Sequence, residues 1–173
     1  MSEAVVGIEV RPEAPTHIAA VRALLHEAFS GLTVATLVDR LRAEGDIILA
    51  LVAVAPQDTV VGHIAFSRAQ VEQSGGARPA ASLAPLAVAS SHRRRGIGAA
   101  LVRTGLDQLR ARGEAIVFVL GDPAYYGRFG FVTEVAQTFA SPYAGPHFMA
   151  LKLATDAPRG GTLRYPAAFD ELG

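Results

Sequence analysis

The sequence predicts a mixed α/β fold in one domain, and three patterns carry that expectation. Apolar, β-rich runs at 47–55 and 59–67 are separated by the polar turn Pro56-Gln-Asp58, the signature of a hairpin. Stretches with apolar residues three and four apart flank them, the signature of helices with one buried face. A short strand then passes through an arginine-rich turn into a helix opened by glycines, over 86–112. With 173 residues, half of them hydrophobic and 18% charged, the chain is long enough for one well-buried core and short for two.

Taken in order, Val6 to Arg11 alternates and reads as a first strand. Pro15 and Thr16 open a helix whose apolar face carries Ile18, Val21, Leu24, Leu25 and Phe29, and Gly31 breaks it. Val34 to Ala43 sets Leu37, Val38 and Leu41 on one side, with Gly45 as its C-terminal stop. After the hairpin, Glu72 to Pro79, with Gly75-Gly76, reads as the longest loop. Ala80 to Val88 is the next strand. Its Pro85 removes one ladder hydrogen bond and implies a bulge or a parted edge. Gly96 to Arg112 is helical, with Ile97, Leu101, Val102, Leu106 and Leu109 inward and Gly113 at its end. Ala115 to Leu120 reads as a central strand, Pro123 to Phe129 as a short helix, Phe131 as the start of a strand and Phe148 to Leu153 as a closing one. Thr155 to Gly173 reads as an irregular tail packed through Tyr165 and Phe169.

Composition excludes several functions. Sixteen basic residues balance sixteen acidic ones, which argues against a general nucleic-acid binder. There is no cysteine, so disulfides, thiolate metal sites and cysteine nucleophiles are excluded, and no metal site is expected. Met1-Ser-Glu-Ala lacks the layout of a signal peptide and no apolar run has the length to cross a bilayer, so the expected setting is cytoplasmic, without a membrane partner.

The turn from Leu86 to Val102 carries the chemistry. A helix start presents unpaired N–H groups and a partial positive charge. Gly96 and Gly98 leave that backbone open, and Arg93, Arg94 and Arg95 add charge and bidentate donors for phosphate. The reading is a pyrophosphate site. A solvated loop would leave both glycines unexplained, each at a helix start that Gly disfavours by on the order of 1 kcal/mol against Ala. A dinucleotide fingerprint needs a small residue where Leu101 stands, and a P-loop needs Gly-Lys-Ser/Thr, which is absent.

These residues also carry a family resemblance. Arg93-x-x-Gly96-x-Gly98 after Leu86-Ala-Val88 resembles the acetyl-coenzyme A signature of the GCN5-related N-acetyltransferase (GNAT) superfamily. Tyr126-Gly-Arg-Phe-Gly-Phe131 resembles its second marker, and the run from Gly121 to Phe131 is similar to small bacterial predicted acetyltransferases. The resemblance implies a twisted mixed sheet with helices on both faces and a splayed strand pair that admits the pantetheine arm. It implies that Leu86, Ala87 and Val88 offer backbone groups to that arm. Arg94, Arg95, Gly96, Ile97, Gly98 and Ala99 would wrap the pyrophosphate, with Arg93 beside them. The activity implied is acetyl transfer from acetyl-CoA to a small-molecule or peptide amine. The alternative is an acyl-CoA-binding sensor of the same fold.

Under that resemblance Tyr126 becomes the candidate general acid for the departing thiolate, with Tyr125 one residue off the spacing. Without it, Tyr126 reads as a buried aromatic. The candidate base is His63, on a central strand and able to titrate near neutral pH, against its reading as a satisfied core histidine. Between Asp58 and Asp107 the sequence offers only Glu72 as a carboxylate, in a loop. Glu27 lies near the end of the first helix, in the region that the resemblance gives to the acceptor, Ser82 could orient a water, and His92 reads as exposed turn. The common Asn-x-x-Ala helix start is replaced by Gly121-Asp122-Pro123-Ala124, in which Asp122 is a sensible N-cap. Exposed apolar strand edges would allow a homodimer. The resemblance implies an acceptor pocket built from the first two helices, their connection and late loops, here around Glu27 to Leu37 and Phe139 to His147, whose mixed composition does not specify the acceptor.

Overall fold

The structure is a computed structural model that describes residues 5–172. Eight strands form one twisted sheet. The main path runs β1 (Glu9–Pro12), β2 (Ile47–Ala55), β3 (Thr59–Gln73), β4 (Gly76–Val88), β5 (Ile116–Leu120) and β7 (Phe148–Lys152). The short β6 (Phe139–Ala140) pairs with β8 (Gly161–Arg164), and β8 pairs in turn with the far end of β3. Every pairing on the main path is antiparallel except β4 with β5.

Helices cover both faces, as the resemblance implies. On one side lies α3 (Ile97–Ala111), whose Ile97, Leu101, Val102, Leu106 and Leu109 are buried against β2, β3 and β4. On the other lie α1 (Ile18–Ala28) and α2 (Thr33–Ala43), which bury Val21, Leu24, Leu25 and Val38 against Val52, Val54 and Ala87. Each such buried aliphatic side chain contributes about 1.5–3 kcal/mol, so the helical stripes read from the sequence fix both layers. The sheet approaches α3 closely at Gly105, where a Cβ would stand 2.5 Å from the Phe66 ring.

Four boundaries differ from the sequence reading. The first strand begins at Glu9, not Val6, which is fully exposed. The segment 72–79 is no loop: β3 and β4 stay in register to Gln73↔Gly76, so Ser74-Gly75 alone makes the turn. The glycines that looked like a loop are the corner of a long hairpin. At Phe131 no strand begins; Val132 makes a single bridge to Ala150, and α5 (Thr133–Ala136) follows. The tail is regular at 161–164, because β3 overshoots β2 and leaves Gln70–Glu72 free to pair with β8. Phe169 is buried and meets Tyr165 at 5.2 Å between ring centroids, as expected.

Pro85 parts the sheet. On the β3 side the register steps from Phe66↔Leu83 to Ile64↔Leu86, so Ala84 and Pro85 together oppose one residue, a bulge. On the β5 side, parallel pairing covers Ala81–Leu83 against Val117–Val119 and stops. Beyond Leu83 the two strands diverge and leave an opening between them.

Candidate functional site

Backbone groups line this opening. The Ala89 N–H donates to Val61 O at 2.8 Å, so Ala89 and, two residues back, Ala87 bond toward β3. Antiparallel ladders alternate, and Leu86 and Val88 therefore direct their N–H and C=O groups into the gap. The side chain of Arg93 returns to this edge, its Nε 3.4 Å from Val88 O.

At the end of β4 the chain turns through Ser90–His92 into α3. Arg94 has φ 64° and Gly96 φ 82°, so two left-handed residues bend the backbone into a concave turn. Gly96 is the N-cap and supplies no side chain to the helix end. The first bond inside the helix runs from Ala100 N to Gly96 O at 3.0 Å, which leaves the N–H groups of Ile97, Gly98 and Ala99 without helical partners. These groups open onto a cleft of about 540 Å³. Its lining includes Leu86, Ala87, Val88, Arg93, Arg94, Gly96, Ile97, Gly98 and Ala99, together with Ala28, Phe29, His92, Tyr125 and Arg128. Arg95 alone of the expected phosphate residues lies outside it. Tyr125 and Arg128 were not anticipated there. Arg128 stacks its guanidinium 5.3 Å from the Tyr125 ring. Tyr125 is lodged over Gly98, where a Cβ would stand 2.7 Å from its hydroxyl.

A second cleft, of about 270 Å³, continues from the first, the two sharing Phe29 and Leu86. Its floor is Ser82 to Leu86 on the parted stretch of β4, and its walls are Val34 and Leu37 of α2, Leu120 at the end of β5, Tyr126, Tyr143, Tyr165 and Phe169. Tyr126 comes from α4 (Pro123–Tyr126), which Asp122 caps by accepting the Ala124 N–H at 2.9 Å. The Tyr126 ring fills the space a Cβ at Gly121 would take, 2.5 Å away. Burial, with a smaller effect of the neighbouring Tyr125, pushes the Tyr126 phenol up to about 12, so it is protonated at neutral pH.

His63 stands elsewhere. It is fully buried on β3, facing α1, and lines neither cleft. Its Nε2 is 3.4 Å from Glu13 Oε1, while Arg42 holds the same carboxyl at 2.9 Å. Burial would raise the Glu13 carboxyl, but His63 and Arg42 outweigh it and hold Glu13 below its ordinary value. Glu27 accepts the Ser90 hydroxyl at 2.9 Å, outside both linings, and Glu72 lies on the distant hairpin. Ser82 is buried on the floor of the second cleft. Among the described residues no group of His, Cys, Asp and Glu side chains is arranged to hold a metal, and no helix is long and apolar enough to cross a membrane.

Known proteins resemble this chain in sequence and fold. A family model described as an acetyltransferase (GNAT) domain matches residues 9–133. A protein of Escherichia coli strain K12 named "Uncharacterized N-acetyltransferase YhbS" is 37% identical over 167 residues, 94% of this chain and 99% of that one. The crystal structure of the GNAT family N-acetyltransferase YhbS from Escherichia coli in complex with CoA superposes with a TM-score of 0.89 at 34% identity, covering 100% of this chain and 97% of that one. A GNAT family acetyltransferase from Brucella melitensis in complex with acetyl-CoA gives 0.79 at 34% identity, over 94% of this chain and 98% of that one.

Proposed function

Because the chain belongs to the GNAT acetyltransferase family, we propose that it moves an acetyl group from acetyl-CoA directly onto a primary amine, with both ligands bound together. The observation that carries this reading is the junction of the two clefts at Leu86 and Phe29, with Tyr126 on the acceptor side of it. The first cleft fits the donor: arginines and free helix N–H groups stand at one end for the pyrophosphate, and the open edge of Leu86 and Val88 for the amide-bearing arm.

An amine in the second cleft attacks the thioester carbonyl, and the carbonyl electrons move onto oxygen, whose charge the Leu86 N–H stabilises by hydrogen bonding. As the adduct collapses, the C–S bond breaks and its electron pair leaves on sulfur. Tyr126 donates its proton to that sulfur, and the proton shed by the nitrogen restores the phenol, giving an N-acetyl amine and the CoA thiol. A phenol at about 12 is a weaker acid than a thiol at ~8.5, so proton return from the far more acidic adduct nitrogen drives the exchange. With no cysteine in the chain, no cysteinyl acyl-enzyme intervenes. Bound proximity supplies much of the rate.

Thermal denaturation with acetyl-CoA, CoA, ATP and NAD at matched concentrations, followed by thiol release with primary amines, tests the reading. A ligand at 100 times its dissociation constant stabilises by about 2.7 kcal/mol. The expected result is a shift with the CoA species and amine-dependent thiol release; a larger shift with ATP or NAD overturns the reading.

A further inference from the structure

The walls of the second cleft are mostly apolar and carry no Asp, Glu, Lys, Arg or His, its polar side chains being Ser82 and the three tyrosines. Val34 and Leu37 face the rings of Tyr143, Tyr165 and Phe169, which interlock at 5.0 and 5.2 Å between centroids. At its mouth Phe29 and Leu120 are 43% and 52% exposed, two of the few large apolar side chains left in solvent among the described residues. Such surface beside a pocket marks a binding face. The volume, about 270 Å³, falls just under the ~300–1,000 Å³ of drug-sized ligand pockets, the scale of one ring or a fused pair.

Charge has no counterpart in this lining. Its titratable members are Tyr126, Tyr143 and Tyr165, all with phenols raised chiefly by burial. Asp170 lies outside the lining and makes its charge felt at Tyr143, and Glu27 is engaged by Ser90. An ammonium group entering here gives up water without gaining a carboxylate, which is costly. The attacking nitrogen must in any case be the free base. At pH 7.5 an amine of pKa ~10.4 is free in about one molecule per thousand, while an α-amine of ~7.7–8.0 is free in about a third.

Resting on the acetyl-transfer reading, we propose that the acceptor is a weakly basic primary amine on an apolar, ring-sized body, and that it enters the second cleft uncharged. Polyamines, aminoglycosides and lysine side chains would find no carboxylate in this lining. Specificity comes from the aromatic wall and the Phe29–Leu120 mouth.

The test is steady-state thiol release by the full chain at saturating acetyl-CoA, with phenylalaninamide, Nα-acetyl-lysinamide and spermidine as acceptors. At pH 7.5 phenylalaninamide is expected to exceed the other two at least tenfold in kcat/KM. For each amine, kcat/KM should rise with pH and level off at that amine's own pKa. Leu120→Glu, which sets a carboxylate at a position already half exposed, should shift the ratio toward lysinamide by about tenfold. Preference for spermidine or lysinamide by the native chain overturns the acceptor class and leaves acetyl transfer standing. So does a pH break that stays fixed across amines, since it marks a base on the enzyme. Thiol release with none of the amines, alongside an intact acetyl-CoA stabilisation, overturns acetyl transfer itself and the acceptor class with it.

Discussion

Tyr125 and Tyr126 are neighbours in the chain yet serve different clefts. Their rings meet edge to face at 5.1 Å, with Tyr125 turned to the arginine-lined cleft and Tyr126 to the apolar one. Each is seated against a glycine, Tyr125 against Gly98 and Tyr126 against Gly121. A single helical turn therefore closes one side of both clefts, and its rings lie where glycines leave room for them.

Under the proposed mechanism, Tyr126→Phe removes the proton donor and leaves the ring. The expected loss in kcat is at least tenfold, within the ~10²–10⁴-fold of general-acid catalysis, with acetyl-CoA affinity unchanged. Gly121→Ala should mimic it by displacing the ring. Single-turnover kinetics and equilibrium titration read the two effects separately.

Under the proposed donor site, acetyl-CoA binding at the turn into α3 should depend on backbone shape more than on any one arginine. Gly96→Val forces a β-branched residue to φ 82°, a left-handed conformation that disfavours ordinary side chains by roughly 1–2 kcal/mol. Acetyl-CoA affinity should fall at least tenfold, while Arg95→Ala, outside the lining, should change it less than threefold. The unfolding midpoint of each variant without ligand separates binding from folding.

Alkaline pH gives a signature for Tyr126. Its folded pKa lies near 12 and the unfolded phenol near ~10. The folded state holds the proton more tightly, so this contribution to stability is whole below pH ~10 and is lost as pH rises toward 12. With a weakly basic acceptor, kcat should stay flat from pH 8 to 10. The unfolding midpoint should drop above pH 10 more steeply in the native chain than in Tyr126→Phe.

Glu13 works in the opposite direction. Its carboxyl is held low by His63 and Arg42, so its contribution is present above the unfolded value of ~4.3 and is lost as pH falls below it. Glu13→Gln should flatten the acid limb of the stability curve. His63→Gln should lower the melting temperature and leave the pH profile of kcat/KM in place, as its burial away from both clefts implies.

Gly105 looks improvable and is not. Alanine in a helix interior gains about 1 kcal/mol over glycine, but the new Cβ would press 2.5 Å from the fully buried Phe66 ring, and overpacking typically costs 1–3 kcal/mol. Gly105→Ala should therefore lower stability by about 1 kcal/mol in urea unfolding.

The sequence was most legible where local pattern and tertiary partner agree. The stripes of α1, α2 and α3, the first hairpin turn and the bulge at Pro85 all follow from residues within one or two turns of each other. Legibility failed where the partner is remote. β8 forms because Gln70–Glu72 overshoot β2, a fact about β3 that residues 161–164 do not carry. The second cleft was legible in part: Phe29, Val34, Leu37 and Tyr143 lie in the segments the resemblance gives to the acceptor, whereas Leu120, Tyr165 and Phe169 join them only through the fold. Phe29 was assigned to a helix face, yet it stands just past the end of α1, solvent-exposed and in both linings. Gly121 had a signal, a glycine ahead of Asp122-Pro123, but its packing against Tyr126 shows only in three dimensions.

Leu86 and Phe29 line both clefts, so under the proposed function they border donor and acceptor alike. Two molecules that press on the same pair of side chains are thermodynamically coupled: any factor by which donor occupancy sharpens or blunts acceptor affinity must reappear, undiminished, as the acceptor's effect on the donor. Competition between an acceptor analogue and CoA, measured in both directions at equilibrium, would give one number for this pair of residues, and substitution at either should move that number from both sides together.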